Sequence, residues 1–208
     1  MSLSVDFFSK GSRSYSLCAN SVVEHYYDVY EAKIKPSPHQ FVCLKDSLCA
    51  APGLACAGLS YYVGDGFFCE KYLEGYGKSA LEKFDKKKTV EFGSFCSFYG
   101  MGNGRILLGN VLNTIKEYGY ENLLLTANLK VRSCLSSMGV QYLHLGGACE
   151  YKVWRPDVEW GRYYESKPEV IVVPLDGQGM SLSVCLEVNG AVGDFKNNVY
   201  DDLHYMSV

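Results

Sequence analysis

The stretch that decides the fold is Thr89-Val-Glu-Phe-Gly-Ser-Phe-Cys-Ser-Phe-Tyr-Gly-Met-Gly-Asn-Gly-Arg-Ile-Leu-Leu108. Its first half, residues 89–98, is rich in β-branched and aromatic side chains and predicts a strand. The glycine-rich segment 100–104 predicts a turn, and apolar residues at helical spacing predict a helix over 103–118. A strand that leads through such a turn into a helix brings unpaired backbone N–H groups to the positive end of the helix dipole. This arrangement favours binding of an anion, typically phosphate.

The segments on either side continue the alternation of helices and strands. Upstream, the sequence predicts a helix at 19–33 and an antiparallel pair of strands at 40–45 and 54–63. Two short helical stretches follow, near Cys69 and at 79–84, and then a basic loop at 86–88. Downstream, it predicts a strand at 123–127, a helix at 129–138, and three further strands at 140–145, 170–174 and 181–188. This series is typical of an α/β protein with a mixed twisted sheet, helices on both faces, antiparallel N-terminal strands and a parallel central pair.

Length and charge limit the kind of protein that the chain forms. Its 208 residues, 48% of them hydrophobic, suffice for the core of one domain. We expect residues 1–175 to form that domain, and residues 176–208 to form a C-terminal extension that packs on it or on the second subunit of a homodimer. Because 20 basic and 23 acidic residues give a net charge of -3, no basic field attracts nucleic acid, which we exclude as a partner.

Cysteine usage and the N-terminal sequence predict a cytoplasmic protein with reduced thiols. The nine cysteines are irregularly spaced without a C-x-x-C pair, and the first residues lack the pattern of a signal peptide. The longest uncharged run, 47–64, contains Pro52 and predicts strand, turn and strand, so we expect no stable membrane insertion. We expect no metal site, because the best candidate ligands lack the close pairing of zinc sites; these are His39, Cys43, Cys49 and Cys56.

The glycine-rich segment matches neither the Rossmann nor the Walker pattern. Residues 99–108 instead resemble the [Q/R]-x-x-G-x-[G/A] pyrophosphate loop of the GNAT N-acyltransferase superfamily, which cradles coenzyme A. The resemblance implies a donor-binding set on the loop and the strand before it, made of Phe95, Ser97, Met101, Gly102, Asn103, Gly104 and Arg105. Arg105 is unfavourably placed for the helix dipole, which a bound phosphate would balance. Many members carry a tyrosine general acid where this chain has Leu135, and a tight connection without ligand is the alternative interpretation.

A second resemblance covers about residues 25–175. The run Trp160-Gly-Arg-Tyr-Tyr164 followed by Pro168-Glu-Val170 is its most specific part, and Val90–Ser97 and Arg132–Val140 add to it. These motifs resemble those of the bacterial thermostable hemolysin family, which is similar in fold to GNAT enzymes and acyl-homoserine lactone synthases. Ser94 departs from the family's pattern, which has asparagine there.

Two residues are candidates for catalysis. Glu91 is an isolated carboxylate in an apolar strand, where burial would raise its pKa and suit it to accept a proton from an amine. It also matches a glutamate that helps to organise the acyl-transfer site in the lactone synthases; the alternative is a glutamate on the solvent face. Asn128 either holds the pantetheine arm or a water, or caps the helix that begins at Leu129.

Four further residues are candidates for a substrate pocket: Glu70, Trp160, Tyr163 and Tyr164. The alternatives are a surface helix position for the glutamate and a place in the core for the aromatic residues. Cys96 is predicted to be a buried structural thiol, because no histidine lies near it in the sequence to activate it.

The resemblances imply an acyltransferase that moves an acyl group from coenzyme A or acyl carrier protein to a small amine. Neither donor is a permanently bound cofactor. Two alternatives stay open: a membrane-active protein, as the family name suggests, and a GNAT-shaped binding protein without catalysis, which Leu135 favours.

Overall fold

The computed structural model describes residues 3–177 and 186–189. In this part of the chain, eight strands form one mixed sheet: β1 Leu3–Ser9, β2 Gln40–Asp46, β3 Ala55–Tyr61, β4 Thr89–Ser97, β5 Asn122–Ala127, β6 Leu143–Gly147, β7 Glu169–Pro174 and β8 Glu187–Asn189. The α-helices are α1 Arg13–Tyr30, α2 Gly75–Leu81, α3 Met101–Glu117 and α4 Leu129–Ser137. Short 3-10 helices cover Phe68–Tyr72, Lys86–Lys88, Glu150–Lys152 and Tyr163–Ser166.

The sheet has the order β6-β7-β5-β4-β3-β2-β1-β8. Strands β1 to β4 are antiparallel neighbours, and β4 and β5 form the parallel central pair. Strand β7 is antiparallel to both β5 and β6. The predicted α/β class, with antiparallel N-terminal strands and a parallel pair at the centre, is therefore confirmed.

Apolar residues on both faces of the strands explain why helices cover both sides of the sheet. Along β2, Val42 and Leu44 belong to the core cluster that contains the buried stripe of α3, whereas Phe41 and Cys43 belong to the cluster under α1. Each fully buried leucine contributes about 2 kcal/mol relative to an exposed one. The burial of α3, with five residues at 0% exposure, therefore anchors this helix behind β4: Leu107, Leu108, Val111, Leu112 and Ile115.

Several predicted boundaries were wrong. Strand β1 was not predicted, and α1 begins at Arg13 rather than at residue 19, because the Ser12 side chain accepts a hydrogen bond from the Tyr15 N–H and caps the helix. The same helix ends at Tyr30 rather than at 33, since Glu31 adopts a left-handed conformation (φ 58°). Helix α2 begins before the predicted stretch 79–84 and ends within it, at Leu81. The basic run 86–88 forms a 3-10 turn, and β6 begins three residues after the predicted start at 140.

The glycine-rich segment is not a turn outside the helix. Helix α3 begins at Met101 and Gly100 is its N-cap residue (φ 82°), so residues 102–104 already belong to the first helical turn. Of the predicted strand 181–188, residues 181–185 lie outside the described residues, as does most of the predicted extension 176–208. Strand β8 pairs in parallel with β1, and the Leu186 N–H donates to the Asn110 Oδ1 at 3.1 Å.

A β-bulge in β4 separates this strand from β5. The pairing of β4 with β5 extends only from Thr89 to Phe92. On its other edge, Gly93 lies opposite Gly58 and Cys96 opposite Cys56, so β4 holds one extra residue between these pairs. Ser94 lies within the bulge and has a left-handed backbone (φ 51°). Beyond Phe92 the two parallel strands therefore diverge.

The left-handed backbone at position 94 favours asparagine, because asparagine tolerates this conformation better than most residues. We expect Ser94→Asn to raise the free energy of unfolding by up to about 1 kcal/mol, and Ser94→Val to lower it by about 1–2 kcal/mol. Urea denaturation of the three proteins measures both effects. A valine variant as stable as the original protein would contradict the strained bulge.

Candidate functional site

A cavity of about 320 Å³ opens at the point where β4 and β5 diverge. Its floor consists of residues 91–95 of β4 with the ends of β3 and β5. The 3-10 helix Phe68–Tyr72, the C-terminal end of α1 and the segments 34–38 and 153–163 form its walls. Most of the wall residues are aromatic or aliphatic, so the few polar groups within it are conspicuous.

Glu91 is the one carboxylate among the residues that line this cavity. Its side chain is 8% exposed, and its two oxygens accept the backbone N–H of Phe68 at 2.9 Å and of Cys69 at 2.7 Å. No salt bridge of the described residues includes Glu91. Burial raises the pKa of its carboxyl group, and the hydrogen bonds from Cys69 and Phe68 act in the opposite direction. The alternative of a solvent-facing glutamate is therefore wrong.

Cys69 brings a second polar group next to Glu91, which the sequence did not single out. Its Sγ lies 3.2 Å from the Oγ1 of Thr126 on β5. Burial, and next the charge of Glu91, raise the pKa of the Cys69 thiol. Cys69 therefore remains a neutral thiol beside the carboxylate at neutral pH. Cys96 is buried as predicted, in the cluster under α1.

Asn128 caps helix α4, which is one of the two functions that the sequence left open for it, and it also lines the cavity. Its Oδ1 accepts the N–H of Val131 at 3.0 Å in the first turn of α4. Its Nδ2 donates to the hydroxyl oxygen of Tyr30 at 3.3 Å. Tyr30, the last residue of α1, also lines the cavity and was not predicted as a site residue.

Two of the three predicted aromatic pocket residues, Trp160 and Tyr163, line the cavity. Tyr163 stacks on Tyr26 with ring centroids 5.8 Å apart. Tyr164 lies behind them, where its hydroxyl is 2.6 Å from that of Tyr72 and its ring packs edge-on against Trp160. The aromatic cluster is thus part of the core and of the cavity wall at once.

Glu70 does not lie where the sequence led us to expect it. It is not among the cavity residues; its Oε1 accepts the Phe67 N–H at 2.9 Å, and its Oε2 pairs with Lys86 at 2.7 Å. This carboxylate closes the start of the 3-10 helix Phe68–Tyr72, since the first N–H groups of a helix have no partner within it. Glu70 therefore holds the segment whose amides bind Glu91.

The predicted donor-binding residues surround the start of α3 in different ways. Phe95 lines the cavity, Ser97 donates its hydroxyl to the Gly100 carbonyl, and the Asn103 amide donates to the Tyr99 carbonyl. A Cβ at Gly104 would come within 3.0 Å of the Phe95 ring, whereas a Cβ at Gly102 would meet nothing within 4 Å. The first turn, from Met101, has no side-chain cap at Gly100. Gly104 permits close packing on β4, and Gly102 leaves open space at the N-terminal end of the helix.

Arg105 has a partner within the protein, so its positive charge at the start of α3 needs no bound phosphate to balance it. Its guanidinium approaches the Ser137 carbonyl at 3.4 Å, at the negative end of the α4 dipole. Leu135, in the same helix, is fully buried in the core. Neither residue offers a proton donor to the cavity.

The described residues contain neither a candidate membrane-spanning helix nor a candidate metal cluster. No helix in the ranges 3–177 and 186–189 combines the length and apolar character needed to cross a membrane. Within the same ranges, no group of three or more His, Cys, Asp or Glu side chains is arranged to hold a metal ion. The eight cysteines that lie there are free thiols.

Comparison with known proteins identifies a family and a shared fold. The model of a family described as thermostable hemolysin matches residues 9–178. The acyl-homoserine lactone synthase LasI is 8% identical with a TM-score of 0.57, and the alignment covers 91% of this chain and 98% of LasI. The CoA-dependent synthase BjaI, solved with SAM and isopentyl-CoA, is 9% identical with a TM-score of 0.60 and coverage of 92% and 98%.

FeeM, an N-acyl amino acid synthase from uncultured soil microbes, is 13% identical with a TM-score of 0.57, and the alignment covers 85% of this chain and 93% of FeeM. No curated protein matches the chain. The similarities to solved structures confirm the predicted fold, a mixed α/β sheet of the kind found in the lactone synthases.

The burial of Glu91 predicts a pH dependence of stability. A carboxyl group whose pKa is raised by folding stabilises the folded state most below its unfolded-state pKa, near 4.5, and this contribution is lost as the pH rises toward the raised pKa. We therefore expect the stability of Glu91→Gln, relative to the original protein, to increase from pH 4.5 upward, by about 1.4 kcal/mol per unit of pKa difference. Urea titrations at several pH values measure this difference. A relative stability that falls with rising pH would mean that folding lowers the pKa instead.

Proposed function

The chain belongs to the thermostable hemolysin family, and we propose that it is an N-acyltransferase that moves an acyl group from an acyl thioester to a small amine. The observation that carries this proposal is the Glu91 carboxylate, which forms no salt bridge within the described part of the chain and is buried in a cavity at the divergence of β4 and β5. Burial of a carboxylate without a cation costs free energy, and carboxylates buried in this way are found mainly at functional sites.

The divergence of the two strands provides a place for the thioester. Beyond Phe92 the edge of β4 that faces β5 has no strand partner among the described residues, and residues 93–95 line the cavity. Backbone N–H groups on such an edge can donate to a thioester carbonyl and stabilise the oxyanion that forms when an amine attacks. The bulge at Ser94 fixes their direction before substrate arrives.

The N-terminal end of α3 supports binding of the diphosphate of coenzyme A. Helix dipole and uncapped N–H groups attract an anion there, and the open space at Gly102 allows close approach. The related fold of BjaI was solved with isopentyl-CoA, which supports a coenzyme A thioester as donor. A thioester on acyl carrier protein would reach the same cavity through its pantetheine arm.

Glu91 supplies the base for the acceptor. An amine is protonated at neutral pH and becomes a nucleophile only after it loses a proton. The raised pKa of Glu91 brings its basicity closer to neutral, and the two backbone N–H groups hold its oxygens in place. The aromatic wall around it favours an ammonium group that approaches the carboxylate.

Gly102→Asp tests the donor site. Aspartate at an exposed position in the first turn of a helix stabilises the helix, but its charge repels a diphosphate. We expect calorimetric titration with acetyl-CoA and a long-chain acyl-CoA to show at least a tenfold loss of affinity. The control is Gly147→Asp, which makes the same charge change at an open position on the edge strand β6.

Equal affinity in both variants would contradict a diphosphate site at α3. If the original protein binds no coenzyme A thioester, acyl carrier protein loaded with the same acyl groups is the donor to test next. If that also fails to bind, the acyltransferase proposal is wrong.

Glu91→Gln tests the base. The amide keeps the size of the side chain but cannot accept a proton, so we expect kcat to fall by about 100-fold or more while thioester affinity is retained. Glu82→Gln, on the exposed end of α2, makes the same change outside the cavity and is the control. The assay follows thioester loss with a panel of amino acids and alkylamines. Unchanged kcat in Glu91→Gln would exclude the carboxylate as the base.

A further inference from the structure

The proposed reaction expels a thiolate, and the proton for it must come from a group in the cavity. We propose that Tyr30 donates its hydroxyl proton to this leaving group. The inference rests on the proposed acyl transfer and assigns a catalytic residue on α1 to it. Position 135 of α4 cannot act in this way, since it holds a leucine that is fully buried in the core.

The Tyr30 side chain is held firmly at the cavity wall. Its backbone carbonyl accepts the Arg162 N–H at 2.7 Å, which ties the end of α1 to the segment 153–163. Its ring lies 5.3 Å from the Tyr163 ring in an edge-on contact and 5.5 Å from the Tyr26 ring. These contacts restrict the hydroxyl to one region of the cavity.

The polarity of one hydrogen bond leaves the hydroxyl proton available. The Oδ1 of Asn128 is used by the Val131 N–H at 3.0 Å, which fixes the amide orientation. The Nδ2 therefore faces Tyr30, and an amide nitrogen can only donate. The phenol oxygen is the acceptor in this contact, and its own hydrogen has no protein acceptor within residues 3–177 and 186–189.

Tyr30 also lies where the sulfur of a bound thioester would be. Asn128 follows directly after β5, and residues 93–95 of β4 form the opposite side of the opening. Tyr30, Asn128 and these β4 residues line the same cavity. A thioester whose carbonyl binds the β4 amides would place its sulfur within the space that Tyr30 borders.

The protons and bonds of the step balance. The ammonium loses one proton to Glu91, and the free amine forms a bond to the thioester carbon. The carbon–sulfur bond then breaks, the sulfur takes its electron pair, and Tyr30 Oη gives the sulfur a proton. The tyrosinate regains a proton from the nitrogen of the intermediate, and Glu91 releases its proton to solvent. The products are one amide and one thiol.

The surroundings of Tyr30 keep its hydroxyl protonated, as transfer of a proton to the thiolate requires. Burial raises the pKa of its hydroxyl, and the hydrogen bond from Asn128 acts in the opposite direction. Tyr30 is therefore protonated at neutral pH before each turnover.

The test compares two donors that differ only in their leaving group. An acyl-CoA releases an alkyl thiolate, whereas the 4-nitrothiophenyl ester of the same acyl chain releases a far less basic thiolate that needs no proton donor. We expect Tyr30→Phe to lower kcat with acyl-CoA by about 100-fold and to leave kcat with the nitrothiophenyl ester within about twofold. Tyr27→Phe, on the exposed side of α1, is the control with both donors.

Each outcome decides between distinct explanations. An equal loss with both donors would show that Tyr30 acts only on structure or acceptor binding, and an unchanged kcat with acyl-CoA would exclude it as the acid. Either result leaves the acyltransferase proposal intact, because both comparisons are made relative to acyl transfer by the original protein. If the original protein transfers no acyl group from either donor, nor from acyl carrier protein loaded with the same acyl chain, the proposed function and the assignment of Tyr30 both fall.

Discussion

The site depends on a single backbone constraint, the end of the pairing between β4 and β5 at Phe92. Parallel strands normally satisfy each other's N–H and C=O groups along their length. Here the extra residue of the bulge bends β4 away, so the sheet opens at its centre rather than at its edge. The cavity, the unpaired strand edge and the approach from the start of α3 all follow from this opening.

Burial of Glu91 is the second constraint, and it follows from the first. The residue lies just before the divergence, where the floor of the cavity is already closed by strands on both sides. Two backbone N–H groups donate hydrogen bonds to its oxygens and offset part of the cost of burial. These N–H groups point at Glu91 because Glu70 and Lys86 hold the start of the 3-10 helix Phe68–Tyr72 in place. The carboxylate pairs with no cation of residues 3–177 and 186–189, so an incoming ammonium is its natural partner.

The sequence predicted what depends on local pattern. The strand, glycine-rich segment and helix of residues 89–118 were recognisable, as was Glu91, because an isolated carboxylate in an apolar strand stands out. Long-range contacts were not predictable: Tyr30 meets Asn128 across 98 residues, and Arg105 meets Ser137 across 32. Glu70 was assigned to the pocket because nothing in a single sequence shows that its carboxylate turns back to the Phe67 N–H. Strand β1 alternates apolar and polar residues as a half-buried strand does, so the sequence did contain a pattern for it that the prediction omitted.

The central claim is that the opening between β4 and β5 holds the reacting thioester. A crystal structure of the protein with a thioether analogue of acyl-CoA, in which a methylene group prevents transfer, tests this claim most directly. The account predicts the analogue's carbonyl oxygen within 3.2 Å of a backbone N–H among residues 93–95, its sulfur next to Tyr30, and its diphosphate at the first turn of α3. An analogue bound elsewhere on the protein, with the opening filled by side chains or water, would contradict it.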